Sequence, residues 1–110
     1  SGLVAHNLIS PRALAQILAF TWRHPNRAGF LRALPRAGQA GSLKDRFRGS
    51  PLDGRVLAKT GSIQHVNALS GYVERAKGGP LVFSIVLNHH TARYADALKQ
   101  IDSVVVEMAK

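Results

Sequence analysis

Apolar residues recur at helical spacing near the start of the chain. A set of such positions lies three or four residues apart, which predicts one amphipathic helix: Leu14, Ile17, Leu18, Thr21 and Trp22. Ser10 and Pro11 form a favourable helix start, because the serine hydroxyl caps free N–H groups and proline is tolerated at the first helical position. Pro25 disfavours helical geometry in the residue before it, so the helix should end near His24.

A second amphipathic pattern closes the chain. It predicts a helix from about Thr91 to the C-terminal end. The expected apolar stripe consists of Tyr94, Leu98, Ile101, Val105 and Met108. Ala97 and Val104 lie beside this stripe. We interpret this stripe as core packing.

Between residues 56 and 88 the pattern changes to the two-residue period of β-strands. It predicts strands at 56–60, 66–74 and 81–88, with turns around 63–65 and 77–79. The third strand is apolar on both faces, so it should be covered on both sides. Short connections favour an antiparallel meander. The predicted fold class is therefore α+β, a three-stranded antiparallel meander with N-terminal and C-terminal helices.

Residues 25–55 read as a long basic loop. They contain three prolines and five glycines, and seven basic against two acidic residues. One short apolar turn is expected at Phe30, Leu31 and Leu34. A connection of this length in a compact domain is usually functional or mobile.

Composition narrows the possible functions. The chain has 110 residues, a formal net charge of +9 and no cysteine, which fits one domain and excludes disulfides, Cys-ligated zinc and a cysteine nucleophile. No apolar run is long enough for a membrane span, and the N-terminus does not resemble a signal peptide. The five histidines lack metal-ligand spacing, so we expect neither a metal site nor a cofactor. Specific nucleic-acid binding is not expected, because the basic segment lacks interleaved aromatics and any known binding motif.

The sharpest chemical signal is Lys59-Thr60-Gly61 followed by Ser62, at the end of the first predicted strand. An ammonium and a hydroxyl on one strand edge can hold a carboxylate. Gly61 lets a substrate backbone approach closely. The backbone N–H of Ser62 can then point at a carbonyl oxygen that becomes negative in the transition state.

The triplet belongs to an ordered series of motifs. In chain order these are Ser1-Gly2-Leu3, Asn7-Leu8-Ile9-Ser10-Pro11, Leu34-Pro35, Ala37-Gly38, Gly41-Ser42-Leu43, Arg46, Ala58-Lys59-Thr60-Gly61-Ser62 and Leu69-Ser70-Gly71-Tyr72. This series resembles the C-terminal part of the D-alanyl-D-alanine carboxypeptidase/endopeptidase family, the class C low-molecular-mass penicillin-binding proteins. The resemblance covers essentially the whole chain. It implies a part of the penicillin-binding and serine β-lactamase-like transpeptidase fold.

The resemblance also implies roles for individual residues. Lys59 resembles the strand lysine that supports the proton network and attracts the substrate carboxylate, and Thr60 resembles the hydroxyl that holds it. Gly61 resembles the clearance position, and Ser62 the residue whose N–H completes the oxyanion hole. Asn7 resembles the asparagine that hydrogen-bonds the substrate amide.

Two departures from the family pattern matter. The family usually has Ser-Gly-Leu-Ser before that asparagine, whereas this chain has Val4 at the second serine. Either that element is degenerate or altered here, or the register differs by a residue or two. In addition, no Ser-x-x-Lys occurs anywhere in the chain. We therefore expect residues 1–110 to be the C-terminal segment of a penicillin-binding domain that cannot form an acyl-enzyme alone.

By resemblance, the partners are peptidoglycan stem peptides and β-lactams, and the location is periplasmic or otherwise extracytoplasmic. Exposed apolar surface and an open sheet edge should be covered by the missing N-terminal catalytic portion or by a homo-oligomer. Two other functions stay open. One is a non-catalytic scaffold or self-associating module of the same fold, which Val4 and the missing nucleophile favour, and the other is polyanion binding through the basic segment.

Overall fold

The computed structural model describes residues 10–39, 41–63, 65–88 and 93–110. In this part of the chain there are three helices and three strands: α1 (Pro11–Arg23), α2 (Arg27–Ala33), β1 (Val56–Ile63), β2 (Val66–Val73), β3 (Leu81–Asn88) and α3 (Tyr94–Met108). The strands form one antiparallel sheet in the order β1-β2-β3. The predicted fold class, an α+β meander between two helices, is confirmed.

Helix α1 begins and ends where the sequence predicts. Ser10 caps it, since its hydroxyl accepts a hydrogen bond from the Ala13 N–H at 3.0 Å, and Pro11 occupies the first turn. His24 ends the helix in an extended conformation, as expected for a residue before proline. Leu18 is buried, but the predicted stripe is wrong for Ile17, which is exposed. Ile17 precedes Leu18 by one residue and is therefore turned about 100° away from it around the helix axis.

The connection between α1 and β1 contains more regular structure than expected. Where the sequence predicts one short apolar turn, residues Arg27–Ala33 form the helix α2. Its length of seven residues is too short for a reliable periodic signal, which explains why it is missed. After α2, residues 35–37 run beside β1, with an isolated antiparallel bridge between Arg36 and Leu57.

Strand β1 is longer than predicted. The expected strand ends at Thr60, but pairing with β2 continues to Ile63 opposite Val66. The tight connection includes His65 at a φ of 62°, in the left-handed region, and Gln64 lies outside the described residues. The prediction that Lys59-Thr60-Gly61 stands at a strand end is therefore wrong, because the triplet lies within β1. Strand β2 ends at Val73, one residue earlier than predicted.

The sheet has two different faces. One face carries the main core, where Val56, Ala58, Leu69, Val73 and Phe83 meet α3 and the segment before β1. We call this the core face. The opposite face, here the groove face, contacts α1 through β2 and β3. The prediction that β3 is covered on both sides is wrong at one position on the groove face, because Val86 is exposed.

Helix α3 covers the core face with a narrower stripe than predicted. Ala97, Ile101 and Val105 are buried at four-residue spacing. Tyr94 and Met108, both expected in the stripe, are exposed. Tyr94 lies three residues before Ala97, and Met108 lies three residues after Val105. Each side chain is therefore rotated about 60° around the helix axis from the nearest buried residue, and each lies on a terminal turn of α3. Thr91, the predicted first residue, lies outside the described residues.

An ion pair joins the segment before β1 to α3. The Arg46 guanidinium contacts the Asp102 carboxylate through Nε, at 3.1 and 3.2 Å, and through Nη2 at 2.5 Å. The two side chains are only 10% and 19% exposed. A fork of this kind fixes orientation as well as distance. It therefore holds the segment against the helix that covers the core face.

Asp102→Asn should lower the free energy of unfolding by about 2–4 kcal/mol, because it leaves the Arg46 charge poorly solvated and unpaired. Urea denaturation followed by circular dichroism measures the change. Glu107→Gln is the matched control, since Glu107 forms an exposed ion pair with Lys110. Its cost should stay below about 0.5 kcal/mol. Equal costs for the two variants would contradict a structural role for the Arg46–Asp102 pair.

Candidate active-site edge

The edge of β1 that faces away from β2 is paired with another segment along its first part and unpaired along the rest. The Ala37 N–H donates to the Val56 carbonyl at 2.9 Å, and the Ala58 N–H donates to the Pro35 carbonyl at 3.1 Å. Beyond Ala58, no backbone hydrogen bond from another described residue reaches this edge. Residues 59–63 thus form an open edge next to a closed one, and we call this stretch the open edge.

These two hydrogen bonds also fix which backbone groups point outward. In an antiparallel strand, the N–H and C=O groups of successive residues point to opposite sides, so those of every second residue point the same way. Since the backbone N–H and C=O groups of Val56 and Ala58 point away from β2, those of Thr60 and Ser62 do so as well. The backbone N–H of Ser62 therefore points out of the sheet at the open edge, where an extended ligand can accept a hydrogen bond from it.

Lys59 and Gly61 belong to the groove face of β1. The Lys59 ammonium is exposed, and Nζ donates to the Thr60 carbonyl at 2.6 Å, which holds the charge close to the open edge. Gly61 does not need its small size for packing within the fold. A Cβ built there would meet only the Ala68 Cβ, at an ordinary contact distance of 3.6 Å.

A groove of about 570 Å³ lies between the open edge and the first two helices. Its walls are apolar side chains of α1 and of the α2 region: Leu14, Leu18, Phe30 and Leu34. Lys59, Thr60, Gly61 and Ser62 line its strand side. The sequence-predicted strand residues therefore share one cavity. Asn7, the remaining predicted site residue, lies outside the described residues.

The floor of the groove contains a hydroxyl pair that sequence reasoning missed. Ser70 and Ser84 are neighbours across β2 and β3, and their Oγ atoms lie 2.8 Å apart. Ser70 is also the register partner of Lys59. An ammonium and two hydroxyls thus form a row across the three strands. The two-residue period alone could not find this pair, because bringing Ser70 opposite Ser84 requires the register of β2 against β3.

Tyr72 holds the groove wall in place. It is fully buried on the groove face, and its hydroxyl donates to the Leu18 carbonyl in α1 at 2.7 Å. Its ring packs against Trp22 with centroids 5.6 Å apart, and the Arg27 guanidinium lies 4.6 Å from the Trp22 ring centroid. Burial raises the pKa of the Tyr72 phenol above its ordinary value.

Comparison with known proteins decides the family. Residues 1–108 match the model of the D-Ala-D-Ala carboxypeptidase 3 (S13) family. The chain belongs to this family. It is 36% identical to a D-alanyl-D-alanine carboxypeptidase of Actinomadura sp. (strain R39) and 31% identical to the penicillin-sensitive carboxypeptidase A of Dictyostelium discoideum. Both alignments cover 100% of this chain, but 21% and 22% of those proteins.

A solved structure matches the fold equally well. Penicillin binding protein 4 of Haemophilus influenzae, complexed with a β-lactam, superimposes with a TM-score of 0.85 at 26% identity. The match covers 100% of this chain and 28% of that one. The chain thus spans about a fifth of the length of the curated relatives, in their C-terminal part. No helix in the described ranges is long and apolar enough to cross a membrane.

Tyr72→Phe should change how the free energy of unfolding decreases at alkaline pH. A raised folded-state pKa means that the phenol stays protonated in the native chain after the unfolded chain has lost the proton. The contribution of Tyr72 is therefore complete below about pH 10 and decreases as the pH rises above it. Denaturation at a series of pH values should show a shallower alkaline loss in Tyr72→Phe. An unchanged slope in Tyr72→Phe would contradict a raised pKa for the buried Tyr72 phenol.

Proposed function

We propose that this chain forms the ligand-binding wall of a serine D-Ala-D-Ala carboxypeptidase site. The observation that carries the proposal is the open edge, where the outward Ser62 N–H and the Lys59 ammonium lie on one groove. Closure of β1 by residues 35–37 stops after Ala58, so a ligand in extended conformation can pair with the strand there. The substrate class, a peptide that ends in D-Ala-D-Ala, comes from the family.

The residues of the open edge have distinct tasks in this proposal. Lys59 supplies positive charge for the ligand carboxylate, and Thr60 supplies a hydroxyl for the same group. Ser62 donates its backbone N–H to the carbonyl oxygen that gains negative charge during acyl transfer. Gly61 gives clearance, which agrees with the absence of any packing need for a small residue there. Asn7 would bind the substrate amide.

The attacking serine must come from elsewhere. No Ser-x-x-Lys is present in the sequence, and the relatives are about five times longer than this chain. We therefore propose that residues 1–110 act as the C-terminal segment of a complete penicillin-binding domain, with residues 25–55 as the basic connection beside the site. Peptidoglycan stem peptides and β-lactams are the proposed ligands. An extracytoplasmic location follows from that substrate.

A non-covalent titration tests the binding wall. Adding an N-acylated D-Ala-D-Ala peptide to the isotopically labelled chain should shift the amide resonances of Gly61 and Ser62. Lys59→Ala should weaken binding about tenfold, because one charge-assisted contact is lost. Lys77→Ala, which removes an equal charge from the exposed turn after β2, should bind like the wild type. Equal weakening by both substitutions would indicate general charge attraction and contradict a specific role for Lys59.

Acylation is tested separately. Incubation of the chain with a labelled penicillin, followed by intact-mass spectrometry, should show no stable covalent adduct. This follows because the nucleophile motif is absent. A stoichiometric adduct would contradict the assignment of the nucleophile to another segment.

A further inference from the structure

The segment that closes the first part of β1 lies in line with the open edge. Residues 35–37, here called the strap, run antiparallel to β1, with Arg36 opposite Leu57. The Pro35 carbonyl accepts a hydrogen bond from the Ala58 N–H at 3.1 Å, so Pro35 lies opposite Ala58. Any peptide that pairs with the open edge shares this side of β1 with the strap. The strap therefore limits how far such a peptide can extend toward Ala58.

The hydrogen bonding of the strap stops at Pro35, but the chain before it still follows the edge of β1. Proline has no backbone N–H, so Pro35 cannot donate a hydrogen bond to the Ala58 carbonyl. Leu34 is extended, with a φ of −84° and a ψ of 137°, and it therefore continues the line of the strap by one residue, beside Lys59. Its side chain lines the same groove as Lys59. Leu34 thus occupies the first position past the strap.

The direction of a ligand on the open edge follows from the proposed function, on which this inference rests. In that function the Ser62 N–H binds the carbonyl that reacts, and Lys59 attracts the carboxylate at the end of the ligand. The carboxylate follows this carbonyl in the ligand chain, so the ligand runs from Ser62 toward Lys59, antiparallel to β1. Its carboxyl end therefore approaches Leu34.

The positions along β1 determine how many ligand residues fit. The residue whose carbonyl binds the Ser62 N–H lies opposite Ser62, and the next residue lies opposite Gly61. A further residue would lie opposite Thr60 and would have to donate its N–H to the outward Thr60 carbonyl. Lys59 Nζ already donates to that carbonyl at 2.6 Å. An ammonium at this place suits a terminal carboxylate, which has no N–H to donate, and opposes a peptide chain that continues.

We propose that Leu34, held at the end of the strap, is a steric stop for the carboxyl end of the ligand. The open edge then admits peptides that end one residue after the carbonyl bound to Ser62, and it excludes peptides that continue past that residue. Lys59 contributes by occupying the Thr60 carbonyl that a longer peptide would need. This is the binding preference of a carboxypeptidase, as opposed to an endopeptidase that cleaves within a main chain.

Two peptides that differ by one residue test the stop. Titrations followed by the Ser62 amide resonance compare an N-acylated peptide ending in D-Ala-D-Ala with the same peptide extended by one glycine. The wild-type chain should bind the shorter peptide at least about tenfold more tightly. Leu34→Ala should lower this ratio of affinities by at least about threefold, because the smaller side chain leaves room for the added residue. The ratio is the readout, since Leu34 also forms part of the groove wall.

Leu14→Ala is the matched control, since Leu14 is a half-buried leucine of α1 that lines the same groove. It should leave the ratio of affinities unchanged. Circular dichroism verifies that both variants are folded. In the wild type saturated with the shorter peptide, a nuclear Overhauser effect should also join the Leu34 methyl groups to the last peptide residue, which tests the contact without a substitution.

The outcomes separate the stop from the proposed function. Equal binding of the two peptides by the wild type, an unchanged ratio in folded Leu34→Ala, or a missing Leu34 contact in the saturated complex would overturn the stop and leave the proposed function intact. A wild-type chain that binds neither peptide would overturn the proposed function and the stop together.

Discussion

Two backbone hydrogen bonds determine which part of the β1 edge is open to an extended ligand. The bonds between residues 35–37 and the first part of β1 close that part of the edge and fix which groups of the strand point outward. Had they continued along the strand, the Ser62 N–H would be occupied. Because they stop at Ala58, the same strand is structural at its start and available for binding further along. The polar residues of the Lys-Thr-Gly motif lie in the available part.

The two faces of the sheet differ in how completely they are filled. On the core face, α3 and the segment before β1 bury the apolar side chains, and the Arg46–Asp102 pair holds these two elements together. On the groove face, α1 is attached through the Tyr72 hydroxyl and the Trp22 ring, and a cavity lies beside this attachment. The groove face therefore keeps a cavity beside α1, while buried apolar side chains fill the core face.

Much of this architecture could be predicted from the sequence, because it depends on local chemistry. The Ser10 cap, the end of α1 before Pro25 and the three strands with their order follow from capping, proline geometry and the two-residue period. The Lys-Thr-Gly motif and its neighbours identified the family. Helix α2 was missed because seven residues carry too little periodicity. The end of β1 was placed too early because Gly61, a residue type depleted in strands, follows Thr60, although it pairs with Ala68 in the sheet.

Other features depend on contacts that no local pattern encodes. The exposure of Tyr94 and Met108 reflects how narrow the buried stripe of α3 is, and the Ser70–Ser84 hydroxyl pair requires the register of β2 against β3. The closure of half of β1 depends on a segment about twenty residues earlier in the chain. The assignment of Asn7 rests on resemblance, since that residue lies outside the described ranges.

Amide hydrogen exchange along β1 tests the central claim most directly. In the free chain, the Ala58 N–H should exchange slowly because it is bonded to Pro35, and the Ser62 N–H should exchange quickly. A saturating D-Ala-D-Ala peptide should slow exchange at Ser62 and leave Ala58 unchanged. Slow exchange at Ser62 in the free chain, or no protection when the peptide is bound, would contradict the assignment of this edge as the ligand-binding strand.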